Sequence, residues 1–166
     1  YPEYPVWLYR IDRWVPRAYI VPKIVVIQDP RESLTRLASA GFDPLGEVVV
    51  EEMLELTGPQ KFPSQAELLN YTNRQAIIHA SLNHPGVLVL ADSFYPGWRV
   101  YVDGREEKIL RANFFFRGVL LPSGEHRVEF KYQPRWFTIG LYVSLATGGV
   151  LFLVALFCMF QRRRLR

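Results

Sequence analysis

The sequence predicts a mainly β fold: an antiparallel β-sandwich of the immunoglobulin or jelly-roll type with one short helix, followed by a C-terminal transmembrane α-helix. Three observations carry this reading. Residues 137–160 form an unbroken run of 24 without Lys, Arg, Asp, Glu, His, Asn, Gln or Pro. Between Gly46 and Tyr132 about seven short β-type runs alternate with turn residues. A single helix-start pattern, Asp29-Pro30-Arg31-Glu32, precedes them. The organisation expected is an outer β domain over 1–135, a membrane helix over 136–160 and a basic tail over 161–166.

In chain order, residues 6–27 mix aromatic and aliphatic residues with arginines, and 18–27 hold one or two strands broken at Pro22, which has no N–H to give a ladder. Asp29 is suited to cap a helix, Pro30 to its first position and Glu32 to a return hydrogen bond. Leu34, Leu37 and Ala38 share a face and Gly41 supplies a stop, so the helix is predicted over 30–40.

Beyond Phe42-Asp43-Pro44 the pattern is β throughout, with Val48-Val49-Val50 inside 46–56 and Ile77-Ile78 inside 75–82. The continuous apolar run Val87-Leu88-Val89-Leu90-Ala91 predicts a strand buried on both faces. Residues 98–102 alternate up to Asp103-Gly104, a dipeptide suited to a two-residue hairpin turn, and a return strand is expected through Lys108-Ile109-Leu110. Residues 114–121 and 126–132 flank Pro122-Ser123-Gly124. In the latter run Val128, Phe130 and Tyr132 face one way and Arg127, Glu129 and Lys131 the other.

As a helix the 137–160 run reaches roughly 36 Å, enough for a hydrocarbon core of about 30 Å. Its 13 Leu, Ile, Val and Phe residues contribute about −4 to −8 kcal/mol to insertion. Arg162, Arg163, Arg164 and Arg166 follow Gln161 and by the positive-inside rule mark the cytoplasmic end, leaving 1–135 outside the cytoplasm. These arginines account for the whole net charge of +4. The neutral remainder argues against nucleic-acid or polyanion binding. An outer domain requires an export signal, and the chain opens Tyr1-Pro2-Glu3 without one, so it is expected to be a piece of a longer protein. The single cysteine, Cys158, lies in the apolar run, so the outer domain must be held by its core rather than by disulfides.

Candidate chemistry is sparse. His79, His84 and His126 lie in separate elements without metal-ligand spacing. No phosphate-cradling glycine loop or nucleophile elbow is present. The adjacent pairs Glu51-Glu52 and Glu106-Glu107 point to opposite faces of their strands and suit solvated edges. The most distinctive stretch runs from Asp92 to Arg99. Its Asp92, Tyr95, Trp98 and Arg99 combine rings with hydrogen-bonding groups, as a carbohydrate platform requires. Alternatively Pro96-Gly97 makes a turn and Trp98 fills the core. In the apolar run, Gly140, Ser144 and Gly148 recur every four residues and would let other membrane helices approach closely.

Ala91-Asp92-Ser93-Phe94-Tyr95-Pro96-Gly97-Trp98-Arg99-Val100-Tyr101-Val102-Asp103-Gly104 resembles the signature of the YfhO family of bacterial membrane proteins. Leu110-Arg111-Ala112-Asn113, the stretch from Pro122 to Phe130, and Gly140-Leu141-Tyr142-Val143-Ser144 match its continuation in order. Val15-Pro16-Arg17-Ala18-Tyr19 and Phe42-Asp43-Pro44 resemble earlier landmarks. The resemblance implies a polytopic protein similar to the GT-C glycosyltransferases, which take sugars from polyprenyl-phosphate donors on the outer face of the membrane. Some members are implicated in glycosylating teichoic acids. In that class the acidic catalytic residue and the donor site lie between N-terminal membrane helices. The resemblance therefore carries no catalytic residue, metal or cofactor onto this chain, and the lipid-linked sugar donor belongs to the parent protein.

The function expected is thus the C-terminal extracytoplasmic domain and last membrane helix of an envelope glycosyltransferase, without activity of its own. The alternatives are a glycan-binding module built on Asp92, Tyr95, Trp98 and Arg99, and a structural domain capping the membrane bundle.

Overall fold

Alternating residues and turn signals resolve into eleven strands and two helices in the computed structural model, which describes residues 14–54 and 62–164. The strands are β1 (Ala18–Val21), β2 (Lys23–Val26), β3 (Glu47–Val50), β4 (Ser64–Thr72), β5 (Gln75–Leu82), β6 (Gly86–Ser93), β7 (Trp98–Val102), β8 (Arg105–Glu107), β9 (Leu110–Ala112), β10 (Phe116–Leu121) and β11 (Gly124–Tyr132). Helix α1 spans Pro30–Leu37 and α2 spans Arg135–Arg164. Three parts of the sequence reading lie outside the described residues: the strand region before Trp14, the end of the 46–56 run, and Leu165 and Arg166 of the basic tail.

Two sheets form, one in the order β1-β6-β10-β9-β3-β2 and one in the order β4-β5-β11-β7-β8. In the six-stranded sheet β1 and β2 occupy opposite edges although only Pro22 separates them in sequence. The sheet therefore curls back on itself at the residue that cannot continue a ladder. This curl gives the domain two cores. Ile78, Leu88, Leu90, Val100, Val119, Leu121, Val128 and Phe130 pack between the sheets. Tyr19, Val21, Val48, Val50, Val87, Val89 and Leu110 pack inside the curl. Strand β6 thus buries alternate residues in different cores, which is why its sequence is apolar without alternation.

An all-antiparallel sandwich is corrected at one place: β2 and β3 pair in parallel, from Lys23↔Glu47 to Val26↔Val50. Parallel neighbours need a crossover, and α1 supplies it. The Asp29 carboxylate caps α1, accepting from the N–H of Arg31 and Glu32 at 2.9 Å each. The helix ends at Leu37 rather than Ala40. Ser39 Oγ donates to the Arg36 carbonyl at 2.7 Å and so takes an oxygen that helical continuation would use. The face turned inward also differs from the apolar one expected: Ser33 is buried, Leu34 is exposed, and Arg36 pairs with the buried Glu47. Lys23 approaches the same carboxylate at 3.1 Å, so one acid ties β2, α1 and β3 together.

Two further strand expectations shift. After Asp103 (φ 51°) and Gly104 (φ 83°) the return strand is Arg105–Glu107, and the chain crosses at Lys108-Ile109 to enter the other sheet as β9. Strand β4 was not legible in Ser64-Gln65-Ala66-Glu67-Leu68-Leu69-Asn70-Tyr71-Thr72, whose Ala, Glu and Asn are poor strand formers. It is an edge strand with a bulge between Leu68 and Asn70, and both features tolerate such residues.

Helix α2 follows β11 after Gln133 and Pro134 and extends the predicted 136–160 helix at both ends. Its residues 139–153 are all exposed. Among the described residues no helix is long and apolar enough to cross a membrane.

Candidate functional site at the α2 end of the sandwich

The pairings Tyr132↔Trp98, Lys131↔Gln75 and Phe116↔Ser93 bring the end of β11, the β4–β5 turn, the start of β7, the end of β6 and the start of β10 to one end of the sandwich. Helix α2 leaves from that end. The distinctive stretch of the sequence runs across it as the β6–β7 loop, where the Trp98 N–H donates to the Tyr95 carbonyl at 3.3 Å. Gly97 has φ +103°, and a Cβ there would meet Pro134 Cα and the Tyr132 ring at 3.1 Å. Only glycine allows this loop to lie against the junction with α2. The Gln133 N–H closes the contact, donating to the Gly97 carbonyl at 2.6 Å.

Arg117 lies at the centre of this end. Strand alternation turns it inward with Val119 and Leu121, and it is only 3% exposed. Its Nη2 donates to Asp92 Oδ2 at 2.9 Å, while Arg17 Nε lies 3.7 Å from Asp92 Oδ1. Its guanidinium sits 3.8 Å from the Trp98 ring centre and 5.8 Å from that of Phe130. Arg17 in turn covers the Tyr71 ring at 4.4 Å. Burial pulls the Arg117 guanidinium below its ordinary pKa, and the Asp92 carboxylate opposes that shift. Its Nε and Nη1 have no hydrogen-bond partner among the described residues. A guanidinium so placed is an electrostatic rivet: its ion pair lies in one sheet, and the rings it covers lie in the other.

The structure thus brings two of the four sequence-predicted residues, Asp92 and Trp98, together through Arg117. Trp98 packs against the core between the sheets, and its ring lies 5.4 Å from that of Tyr132. Arg99 is on the opposite face of β7, paired with Glu106 at 3.1 Å. Tyr95 stands exposed on the loop. Arg99, Gln133 and Pro134 line two adjoining grooves. One, about 280 Å³, is completed by Pro96, Gly97, Trp98 and Glu106. The other, about 650 Å³, is completed by Arg74, Tyr132, Phe137 and Ile139. Sequence reasoning missed Arg117, Arg17 and Tyr71. The available signal was one arginine at an inward position of the apolar run Phe116-Arg117-Gly118-Val119-Leu120-Leu121.

Several other ionisable groups have partners of their own. His79 Nε2 lies 2.9 Å from Glu125, and His126 Nδ1 lies 2.8 Å from Asp103. That contact with His126, followed by the Arg127 N–H, lowers the Asp103 pKa. Among the described residues no three metal-ligating side chains converge. Glu51 and Glu52 pair with Arg111 and Lys108 at 3.1 and 2.6 Å. Burial pushes the Tyr19 phenol up to about 12, against a hydrogen bond with Asn113.

Among known proteins, a family described as "Bacterial membrane protein YfhO" matches residues 60–144. A curated relative, an uncharacterized YfhO protein of Bacillus subtilis (strain 168), is 25% identical over 88 residues, which cover 53% of this chain and 10% of that protein. The chain therefore spans about a tenth of the length of the curated relative it matches. No solved structure matches.

Proposed function

Because this chain belongs to the YfhO family of bacterial membrane proteins, we propose that α2 is a membrane helix of a multi-pass protein and that the sandwich stands outside the cytoplasm at its foot. The parent protein, on this reading, is a glycosyltransferase that moves sugar from a polyprenyl-phosphate donor to an envelope polymer such as teichoic acid. The observation that carries the membrane assignment is the join between β11 and α2. Gln133 and Pro134 alone separate the last strand from a helix whose sequence holds 24 residues without a charge and then three arginines. That order gives a span, a cytoplasmic anchor and a sandwich held against the outer headgroups.

The part of this chain in such an enzyme is positional. Asp92 and Arg117 are committed to each other between the sheets, and Gly140, Ser144 and Gly148 leave one face of α2 open for neighbouring helices of the parent. A glycan-binding role is a second reading, favoured by the smaller groove, whose lining includes Trp98 and the hydrogen-bonding residues Arg99, Glu106 and Gln133.

Full-length protein, purified and supplied with radiolabelled polyprenyl-phosphate sugars and teichoic acid, tests the enzyme assignment. Label is expected in the polymer with the full-length protein and not with this chain. Transfer by this chain alone would contradict the division of labour, and a folded full-length protein that transfers nothing would contradict the activity.

A further inference from the structure

Outside α2, four aromatic side chains among the described residues are exposed: Trp14 at 75%, Tyr71 at 43%, Tyr95 at 61% and Phe115 at 59%. The topology gathers all four at one end. Tyr71 closes β4, Tyr95 lies in the β6–β7 loop, and Phe115 lies in the β9–β10 turn, where its carbonyl accepts from the Phe94 N–H at 2.6 Å. Trp14 lies just before β1, whose Ala18 pairs with Leu90 near the same end of β6. This is the end from which α2 departs. The turns at the opposite end, 83–85, 103–104 and 122–123, carry no exposed large apolar side chain.

Exposed rings scattered singly need no explanation, but four gathered at the end from which an apolar helix leaves do. Tyr and Trp concentrate at the headgroup level of bilayers, where an apolar body and a polar tip are both solvated. At the foot of α2 lies the 650 Å³ groove whose walls combine Arg74 and Arg99 with Phe137 and Ile139. Arg74 is exposed and makes no ion pair among the described residues, and Arg99 beside it is paired with Glu106 at 3.1 Å. Cationic heads above an apolar floor match a lipid phosphate above its acyl chains.

We infer that this end of the sandwich is a lipid-contacting surface: Trp14, Tyr71, Tyr95 and Phe115 sit among the headgroups, and Arg74 and Arg99 hold a phospholipid phosphate at the foot of α2. The inference rests on the membrane assignment of α2 proposed above.

The test uses the full 166-residue chain carrying Cys158→Ser, in nanodiscs of phosphatidylcholine with about 30% phosphatidylglycerol. Spin labels are placed in turn through Tyr95→Cys, Phe115→Cys, Ser123→Cys and Ser144→Cys. Exposure of each label to an aqueous nickel chelate and to dissolved oxygen is then read. The label at 144 should be shielded from nickel, that at 123 fully accessible, and those at 95 and 115 shielded about threefold relative to 123. Adding Arg74→Gln and Arg99→Gln should erase the part of this shielding that depends on phosphatidylglycerol.

A shielded 144 with 95 and 115 as accessible as 123 overturns the surface and leaves the span intact. An accessible 144 overturns the membrane assignment and the surface with it. Shielding of 95 and 115 that arises only in the full-length protein means that protein, not lipid, covers this end, and also overturns the inference.

Discussion

The guanidinium of Arg117 lies 3.8 Å above the Trp98 ring, and the two residues belong to different sheets. Sequence patterning placed Trp98 either in the core or on a sugar platform. The ring packs against the core and over a buried cation, while Trp98 also lines the smaller groove.

Trp98→Ala removes a partly buried ring and a desolvated cation–π contact. It should lower the stability of the domain by about 3 kcal/mol, the low end for a large aromatic, with about 1 kcal/mol of that from the lost cation. Thermal unfolding of the chain in mild detergent measures this, and Trp98→Phe should recover the larger part. A variant that unfolds normally but no longer binds wall glycan would favour the glycan reading instead.

Asp92 and Arg117 should respond asymmetrically to substitution. Asp92→Ala strands a buried guanidinium whose Nε and Nη1 already lack partners among the described residues, and should cost about 3 kcal/mol or more. Replacing both, as Asp92→Ala with Arg117→Met, removes the stranded charge and fills its space. The double variant should be more stable than the single by about 2 kcal/mol. Equal stability of the two in the same unfolding assay would mean that the cation is not the source of the penalty.

Asp103 supplies a pH-dependent contribution at the far end of the sandwich. Its carboxylate contacts His126 and accepts the Arg127 N–H at 2.8 Å, which lowers its folded pKa. A depressed carboxyl stabilises the fold above its unfolded value of about 3.9, and that contribution is lost as pH falls through the folded value. Asp103→Asn keeps a residue tolerant of φ 51° but removes the charge. Its melting temperature should lie below that of the unsubstituted chain at pH 7 and converge with it at acid pH. A gap that persists below the folded pKa would assign the effect to the turn rather than to the carboxylate.

What was legible in the sequence follows from how local each signal is. The Asp29 cap, the Asp103-Gly104 turn, the alternation of 126–132 and the doubly buried β6 depend on neighbours a few residues apart. The parallel β2–β3 pair depends on Arg36 and Lys23 meeting Glu47, which is 11 residues from one and 24 from the other. Lys108-Ile109 gave no sign that the chain changes sheets there. At the candidate site, Asp92 and Trp98 stood out as a motif, but their common partner Arg117 is 25 residues beyond Asp92. A lone arginine among apolar residues announces a buried pair without naming the acid. The cluster of exposed aromatics at the α2 end was invisible for the same reason, because only strand pairing brings its four members to one end.

The central claim, that the sandwich stands outside the cytoplasm at the foot of a membrane-spanning α2, is tested most directly by cysteine labelling of the full-length protein in intact cells. Ser123→Cys, in a turn at the end opposite α2, is combined with Cys158→Ser and treated with a membrane-impermeant maleimide. The account predicts labelling of position 123 in intact cells, with no increase when the membrane is opened. Labelling that appears only after the membrane is opened would place the sandwich in the cytoplasm and contradict the account.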